Sequence, residues 1–82
     1  MNLHRITNAI AAENTYILEN DSHLILVDPG SDWPIIEATI RELNKPITAI
    51  LLTHTHYDHI MSLERVRESF GQPPVYVSEN EG

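Results

Sequence analysis

The sequence of 82 residues predicts an α/β fold, a mixed β-sheet with flanking helices. Short runs rich in β-branched and aromatic residues recur along the chain, and polar or Pro/Gly turns separate them. Between two of these runs, apolar residues repeat at helical spacing. A strand, a helix and a second strand in this order form a βαβ unit, which requires parallel pairing and a right-handed crossover.

The first third of the chain predicts a β-hairpin. Residues 3–7 alternate between apolar and polar, which is a weak strand signal. Residues 15–19 are rich in β-formers, and residues 23–28 predict a strand with the apolar run 24–27 at its centre. The polar triplet 20–22 between these two runs is a strong turn signal, so the two runs pair as neighbouring strands.

The next segment predicts a helix followed by a buried strand. Ser31 or Asp32 can serve as the N-cap, and Pro34 falls in the first turn. Apolar residues then recur on one face until residues 44–46 end the helix: Ile36, Ile40 and Leu43. Residues 47–53, which contain the apolar run 49–52, predict the strand that completes the βαβ unit.

The remainder of the chain predicts a second helix and a last short strand. The helix begins at His59 or Ile60 and ends at Gly71, with an apolar inward face and a charged outer face. Residues 75–77 read as a strand. No repeat or composition shift marks an internal boundary, so residues 1–82 are expected to be part of a single domain. Two helices on one face of the sheet leave its other face bare.

Composition narrows the classes of function. The formal charge of −7 and the scattering of the five basic residues argue against a nucleic-acid-binding surface. The absence of cysteine excludes disulfides and thiolate metal sites. No run approaches the roughly 18 apolar residues of a membrane span, and the N-terminus lacks the apolar core of a signal peptide. We therefore expect a cytoplasmic protein that does not associate with membranes.

The stretch 53–59 is the strongest functional signal in the chain. It places three imidazoles and one carboxylate directly after the apolar run 49–52, where a buried strand leaves the core. In an extended segment His54 and His56 point the same way and can converge on one ion. Asp58 and His59 can face a second point nearby, which fits a two-metal clamp. The sequence therefore predicts a metal centre at this strand end.

Three other polar residues have plainer interpretations. His4 and His23 are each expected to be solvated surface residues, because an isolated histidine is usually no more than that. Asp28, with Pro29 and Gly30, ends a strand sharply. Its carboxylate either caps the turn locally or holds groups of the histidine-rich loop in place. We do not expect Asp28 to be a metal ligand.

These residues carry a resemblance to a known family. The Thr-His-Thr-His-Tyr-Asp-His stretch at 53–59 resembles the T-H-x-H-x-D-H signature of the metallo-β-lactamase superfamily, and Val-Asp-Pro-Gly at 27–30 resembles its first motif. The pair of motifs is most similar to the glyoxalase II-like branch, whose members hydrolyse thioesters. That branch usually has glycines where this chain has Met61 and Ser62. The resemblance favours the loop-holding role for Asp28.

The resemblance implies the N-terminal part of an αββα sandwich. It implies that His54 and His56 bind a first metal and that Asp58 and His59 bind a second. Asp58 is also the implied catalytic residue, since it would accept a hydrogen bond from the bridging hydroxide. The metals are expected to be Zn²⁺, two per complete domain, with Fe or Mn as alternatives.

The implied function is a metal-dependent hydrolase that uses a zinc-bound hydroxide on an ester or thioester carbonyl of a small-molecule substrate. The family completes its sites with two further histidines and an aspartate, yet residues 60–82 contain neither residue type. The chain is therefore expected to be an incomplete part of the enzyme and inactive alone. Two alternatives stay open: a non-catalytic half-domain that binds metal or a partner chain, and a nuclease, which the negative charge disfavours. The oligomeric state is left open.

Overall fold

A computed structural model describes residues 1–8, 14–53 and 62–78. These residues form a five-stranded mixed sheet and two helices. The elements in chain order are β1 (Asn2–Thr7), β2 (Asn14–Glu19), β3 (Leu24–Val27), α1 (Trp33–Leu43), β4 (Ile47–Leu52), α2 (Leu63–Ser69) and β5 (Val75–Val77). The order of these strands and helices along the chain confirms the predicted α/β class.

The sheet follows chain order from β1 to β5. β1, β2 and β3 pair antiparallel, whereas β3, β4 and β5 pair parallel. The two parallel connections contain α1 and α2, so the predicted βαβ unit is confirmed and a second one follows it. The parallel pairing brings the ends of β3 and β4 to the same edge of the sheet, since Val27 lies opposite Leu51.

The predicted hairpin turn between β2 and β3 is confirmed. The Asn20 Oδ1 atom accepts hydrogen bonds from the backbone N–H of Ser22 at 2.9 Å and of His23 at 2.8 Å. The ring of His23 lies 3.1 Å from Asn20 Nδ2 and 3.2 Å from Ser22 Oγ. His23 is therefore a half-buried part of the turn rather than a solvated rim residue, and β3 begins only after it.

The predicted helix α1 is confirmed, with a difference at its start. Asp32 occupies the N-cap position, but its side chain makes no capping hydrogen bond. The backbone carbonyl of Asp32 accepts from the N–H of Ile36 at 3.0 Å. Pro34 has no N–H, which costs nothing here because an N–H in the first turn has no intrahelical acceptor. Asn44 ends the helix in the left-handed conformation, at φ 55, with its N–H bonded to Ile40 O.

The predicted second helix is present as α2. It runs from Leu63 to Ser69 with Ser62 at the N-cap, and the predicted start at residue 59 or 60 lies outside the described residues. Its end agrees with the prediction, because Gly71 adopts φ +88 just after the last turn. The N–H of Gln72 bonds to the carbonyl of Arg67 at 2.8 Å, which satisfies a carbonyl at the helix end.

One face of the sheet forms the core, and both described helices pack on it. The buried side chains of this core are Ile6, Ile17, Leu24, Leu26, Ile36, Ile40, Ile47, Ile50, Leu52 and Val66. The opposite face carries half-buried apolar residues, among them Leu18, Ile25 and Leu51, which no helix of the described ranges covers. The expectation of one uncovered sheet face is therefore met in this part of the chain. None of the described helices has the length and apolar character needed to span a bilayer.

Glu19 links β1, β2 and the connection between α1 and β4. Its Oε1 atom lies 2.9 Å from His4 Nε2, and its Oε2 atom lies 2.7 Å from Lys45 Nζ. Lys45 also donates to the carbonyl of Asn20 at 2.8 Å. The hydrogen bond from Lys45, followed by that from His4, lowers the pKa of Glu19 to about 2. The expectation that His4 is merely solvated was wrong, because strand register brings it beside an acid.

This cluster predicts a defined pH dependence of stability. A carboxyl group whose folded pKa is depressed stabilises the fold above its unfolded pKa, and that contribution disappears as the pH falls through the folded value. The free energy of unfolding of the wild type should therefore exceed that of Glu19→Gln at pH 6, and the difference should shrink between pH 4.5, the ordinary pKa, and about 2.

Urea denaturation of both proteins across that range measures the difference. Glu37→Gln, which changes an exposed i,i+4 pair with Arg41, is the control and should show little pH-dependent change. A difference between wild type and Glu19→Gln that stays constant from pH 6 to 2 would contradict the assignment.

Candidate metal centre

The candidate ligands His54, His56, Asp58 and His59 lie outside the described residues, so their assignment stays a prediction. Within the described ranges, no three His, Cys, Asp or Glu side chains come together as a metal site would need. The structure does describe both flanks of segment 54–61, which contains the four candidate ligands. Thr53 follows the end of β4, and Ser62 precedes α2.

Asp28 stands at the point where β3 ends. Its N–H still donates to the carbonyl of Leu51 on β4 at 2.9 Å, but its backbone turns to φ 53, the left-handed region. Asp and Asn tolerate this region better than most residues with a side chain. The turn ends β3 one residue earlier than predicted, and it leaves Asp28 only 5% exposed.

The carboxylate of Asp28 binds Thr53 with both oxygens. Oδ1 accepts from the backbone N–H of Thr53 at 2.7 Å, and Oδ2 accepts from the Thr53 hydroxyl. A buried carboxylate needs such donors, because its burial without them costs several kcal/mol. This contact confirms that Asp28 holds the first residue of the histidine-rich stretch, the second of the two interpretations given above.

Ser62 is held by the same turn from the other side. Its hydroxyl donates to the carbonyl of Gly30, and its N–H bonds to the carbonyl of Pro29 at 3.3 Å. Ser62 is 1% exposed, and its own carbonyl accepts from Val66 N at 2.9 Å in the first turn of α2. The turn formed by residues 28–30 therefore contacts both flanks of the segment that carries the four candidate ligands.

Two further buried polar residues lie behind this turn, and sequence reasoning missed both. Thr15 is on the core face of β2, two residues from Ile17, and it is fully buried. Asn8 follows β1 and is equally inaccessible. The available signal for Thr15 was its place on the apolar face of a strand, where a hydroxyl needs a partner. Asn8 gave no signal, because its neighbours show no clear period.

A small cavity of about 210 Å³ opens beside Thr53 at the ends of β4 and β5. The ends of parallel strands in open α/β sheets are where ligands usually bind. The wall of the cavity is largely apolar, and the residues that line it are Leu51, Leu52, Thr53, Tyr76, Val77 and Ser78. The described part of the candidate site thus combines the hydrogen-bonded turn at residues 28–30 with an adjacent apolar cavity wall.

Comparison with curated proteins gives a consistent family. A model of the metallo-beta-lactamase superfamily matches residues 11–82. A probable metallo-hydrolase of Streptococcus pyogenes is 57% identical over 81 residues, which cover 99% of this chain and 35% of that protein. A hydroxyacylglutathione hydrolase of Xylella fastidiosa is 43% identical over 75 residues, 88% of this chain and 28% of the relative. The chain thus spans about a third of the length of these relatives.

Solved structures share the fold. The BLEG-1 B3 metallo-beta-lactamase superimposes with a TM-score of 0.86 at 33% identity, over 98% of this chain and 38% of that chain. TTHA1623 in a di-iron-bound form gives 0.79 at 29% identity, over 95% and 39%. The metallo-beta-lactamase FIM-1 of Pseudomonas aeruginosa, in a mono-zinc form, gives 0.63 at 25%, over 96% and 37%. The predicted fold, the N-terminal part of this αββα architecture, is confirmed.

The contact between Asp28 and Thr53 predicts a measurable coupling. In Asp28→Asn the amide nitrogen can only donate, so the Thr53 hydroxyl loses its bond to a charged acceptor and keeps at most a weaker, reversed bond from Nδ2. We expect a loss of about 1–3 kcal/mol in the free energy of unfolding, measured by urea denaturation. In a Thr53→Val background the same substitution should cost less, because that bond is already absent.

Asp21→Asn, in the exposed hairpin turn, provides the matched control and should change stability by no more than about 0.5 kcal/mol. Equal losses from Asp28→Asn in the wild-type and Thr53→Val backgrounds would show that the two side chains are not coupled.

Proposed function

The chain belongs to the metallo-beta-lactamase superfamily, and on that premise we propose that it forms the metal-binding N-terminal part of a hydrolase that cleaves thioesters. The observation that carries the proposal is the double attachment of segment 54–61. Asp28 binds Thr53 at one end of the segment, and Pro29 and Gly30 bind Ser62 at the other. These hydrogen bonds restrict where the two ends of the segment lie, as a metal site with fixed ligand geometry requires.

The donor set fits a metal ion. Imidazole and carboxylate ligands suit Zn²⁺, Fe and Mn, and we propose Zn²⁺ with two ions per complete domain. His54 and His56 would hold one ion, and Asp58 and His59 the other. The di-iron and mono-zinc forms of two structural relatives support a metal of this kind. Asp28 is not proposed as a ligand; its carboxylate accepts two hydrogen bonds from Thr53.

The metal would supply Lewis-acid chemistry. When bound, it would lower the pKa of a water molecule towards about 7 and polarise the substrate carbonyl. Asp58, as the proposed catalytic residue, would accept a hydrogen bond from the attacking water and orient it. Asp28 and Ser62 would act at a distance, by holding the two ends of the segment that carries the ligands.

The proposed substrate class is a small-molecule thioester. Its support is the relative named hydroxyacylglutathione hydrolase, together with the similarity of motifs 27–30 and 53–59 to the glyoxalase II-like branch. We further propose action in the cytoplasm, which rests on composition. A catalytic zinc needs about three protein ligands and an open position. The remaining ligands are therefore proposed to lie in a longer protein that contains this chain.

A second candidate function is a partner-binding half-domain. It is favoured by the uncovered sheet face and by Tyr76, which is 57% exposed on β5 and pairs with the half-buried Leu51 of that face. Large apolar side chains exposed together mark interaction surfaces. The two candidates differ in one property, because a half-domain that only binds a partner needs no metal.

The test is metal content and hydrolysis in the longer protein. We expect about two zinc ions per protein by elemental analysis after gel filtration, and hydrolysis of a hydroxyacylglutathione thioester. His56→Ala should lower the metal content and abolish hydrolysis without changing the circular dichroism spectrum. The matched control is His4→Ala, which should retain both properties. His4 is bonded to Glu19 and lies far along the sheet. Full hydrolysis in His56→Ala would refute the proposal.

A further inference from the structure

We propose that Thr15 is a positioning residue for the metal-binding segment. Its hydroxyl would set the conformation of the turn at residues 28–30, and this turn would in turn set both ends of segment 54–61. The inference rests on the function proposed above. It assigns to that site a residue that is 38 positions away from Thr53 in the sequence.

The hydroxyl of Thr15 uses its whole hydrogen-bonding capacity. A threonine hydroxyl donates one bond and accepts two. Here it donates to the carbonyl of Asp28 at 2.7 Å, and it accepts from the N–H of Gly30 at 3.0 Å and from Asn8 Nδ2 at 2.9 Å. The residue is fully buried, so water offers no replacement. The stiff, β-branched side chain adds a fixed direction to these three bonds.

The turn depends on these bonds for two reasons. Asp28 adopts φ 53, which is unfavourable for a residue with a side chain, so neighbouring contacts must hold it there. Pro29 has no N–H, which leaves Gly30 as the next backbone donor in a turn that is buried throughout. Thr15 satisfies the carbonyl at one end of the turn and the N–H at the other.

Asn8 links Thr15 to the start of α1 through hydrogen bonds. Its Nδ2 atom donates to the Thr15 hydroxyl, and its Oδ1 atom accepts from the N–H of Asp32 at 2.9 Å. The opposite orientation of the amide would direct a donor at a donor, so the network itself fixes the side chain. The bonds therefore run without interruption from Asn8, just after β1, through Thr15 on β2 to the turn, and from the turn to Thr53 and Ser62.

The competing explanation is that Thr15 only fills space in the core. Substitution by valine distinguishes this explanation from the proposed positioning role. Thr15→Val keeps the volume and removes the three bonds, whereas Thr15→Ser keeps the hydroxyl. Ile17→Val, on the same face of β2, removes a buried methylene group outside the network and serves as the matched control.

The first readout is amide hydrogen exchange. In Thr15→Val, exchange of the Thr53 and Ser62 amides should accelerate by about tenfold relative to the Ile50 amide, which bonds to Pro74 on the other side of β4. Thr15→Ser should restore the wild-type pattern, and Ile17→Val should leave the ratio unchanged. An unchanged ratio in Thr15→Val overturns the proposal. If that variant does not fold, Asn8→Ala replaces it and is read in the same way.

The second readout is zinc affinity of the longer protein, measured by competition with a chelating dye. Thr15→Val should weaken binding by about tenfold, the usual effect of losing a group that orients ligands, while Ile17→Val retains it. Faster exchange without weaker zinc binding would reduce Thr15 to a structural residue and overturn the proposal. A wild type that takes no zinc contradicts the proposed function instead, and the exchange ratio alone then decides on Thr15.

Discussion

The bond pair between the Asp28 carboxylate and Thr53 is the interaction on which the candidate site depends. A carboxylate that is 5% exposed is costly unless donors surround it, and Thr53 supplies two of them. Each partner is thereby restricted by the other. Thr53 cannot move away without leaving a buried charge short of donors, so the histidine-rich stretch begins at a fixed point.

Sheet topology makes this pairing possible. Asp28 and Thr53 are separated by helix α1, yet parallel pairing of β3 with β4 brings the two strand ends together. The N–H of Asp28 continues the ladder to Leu51 O before the chain turns away. The short turn at residues 28–30 then presents its carbonyls to Ser62. The same turn thus lies in the β3–α1 connection and contacts the β4–α2 connection, as expected at the carboxyl edge of a parallel sheet.

Local sequence signals sufficed for features that depend on neighbours in the chain. The Asn20 turn, the apolar face of α1 and the glycine after α2 follow from spacing and turn chemistry, and all three agree with the structure. The aspartate after an apolar run was recognised as important, but its left-handed φ was not, since aspartate also continues strands. The length of β3 was therefore overestimated.

Features that depend on distant partners were not predictable from the sequence. His4 was taken for a solvated residue because its acid partner, Glu19, follows fifteen positions later and is brought near only by strand register. The bonding partners of Asn8 and Thr15 are likewise distant in sequence, so the network was overlooked even though Thr15 lies on the apolar face of β2. The four candidate ligands were found from the motif alone, and their mutual geometry lies outside the described residues.

The most direct test of this account is the zinc affinity of the longer protein and its Asp28→Asn variant, measured by calorimetry. Both proteins contain the same four candidate ligands, and they differ in the charge at position 28 and in how Thr53 is held. The account predicts that binding weakens by about 10–100-fold in Asp28→Asn, as when other groups that orient ligands are lost, and that Asp21→Asn is unaffected. Equal affinity of Asp28→Asn and the wild type would contradict it, and Asp28 would then be a residue of the turn alone.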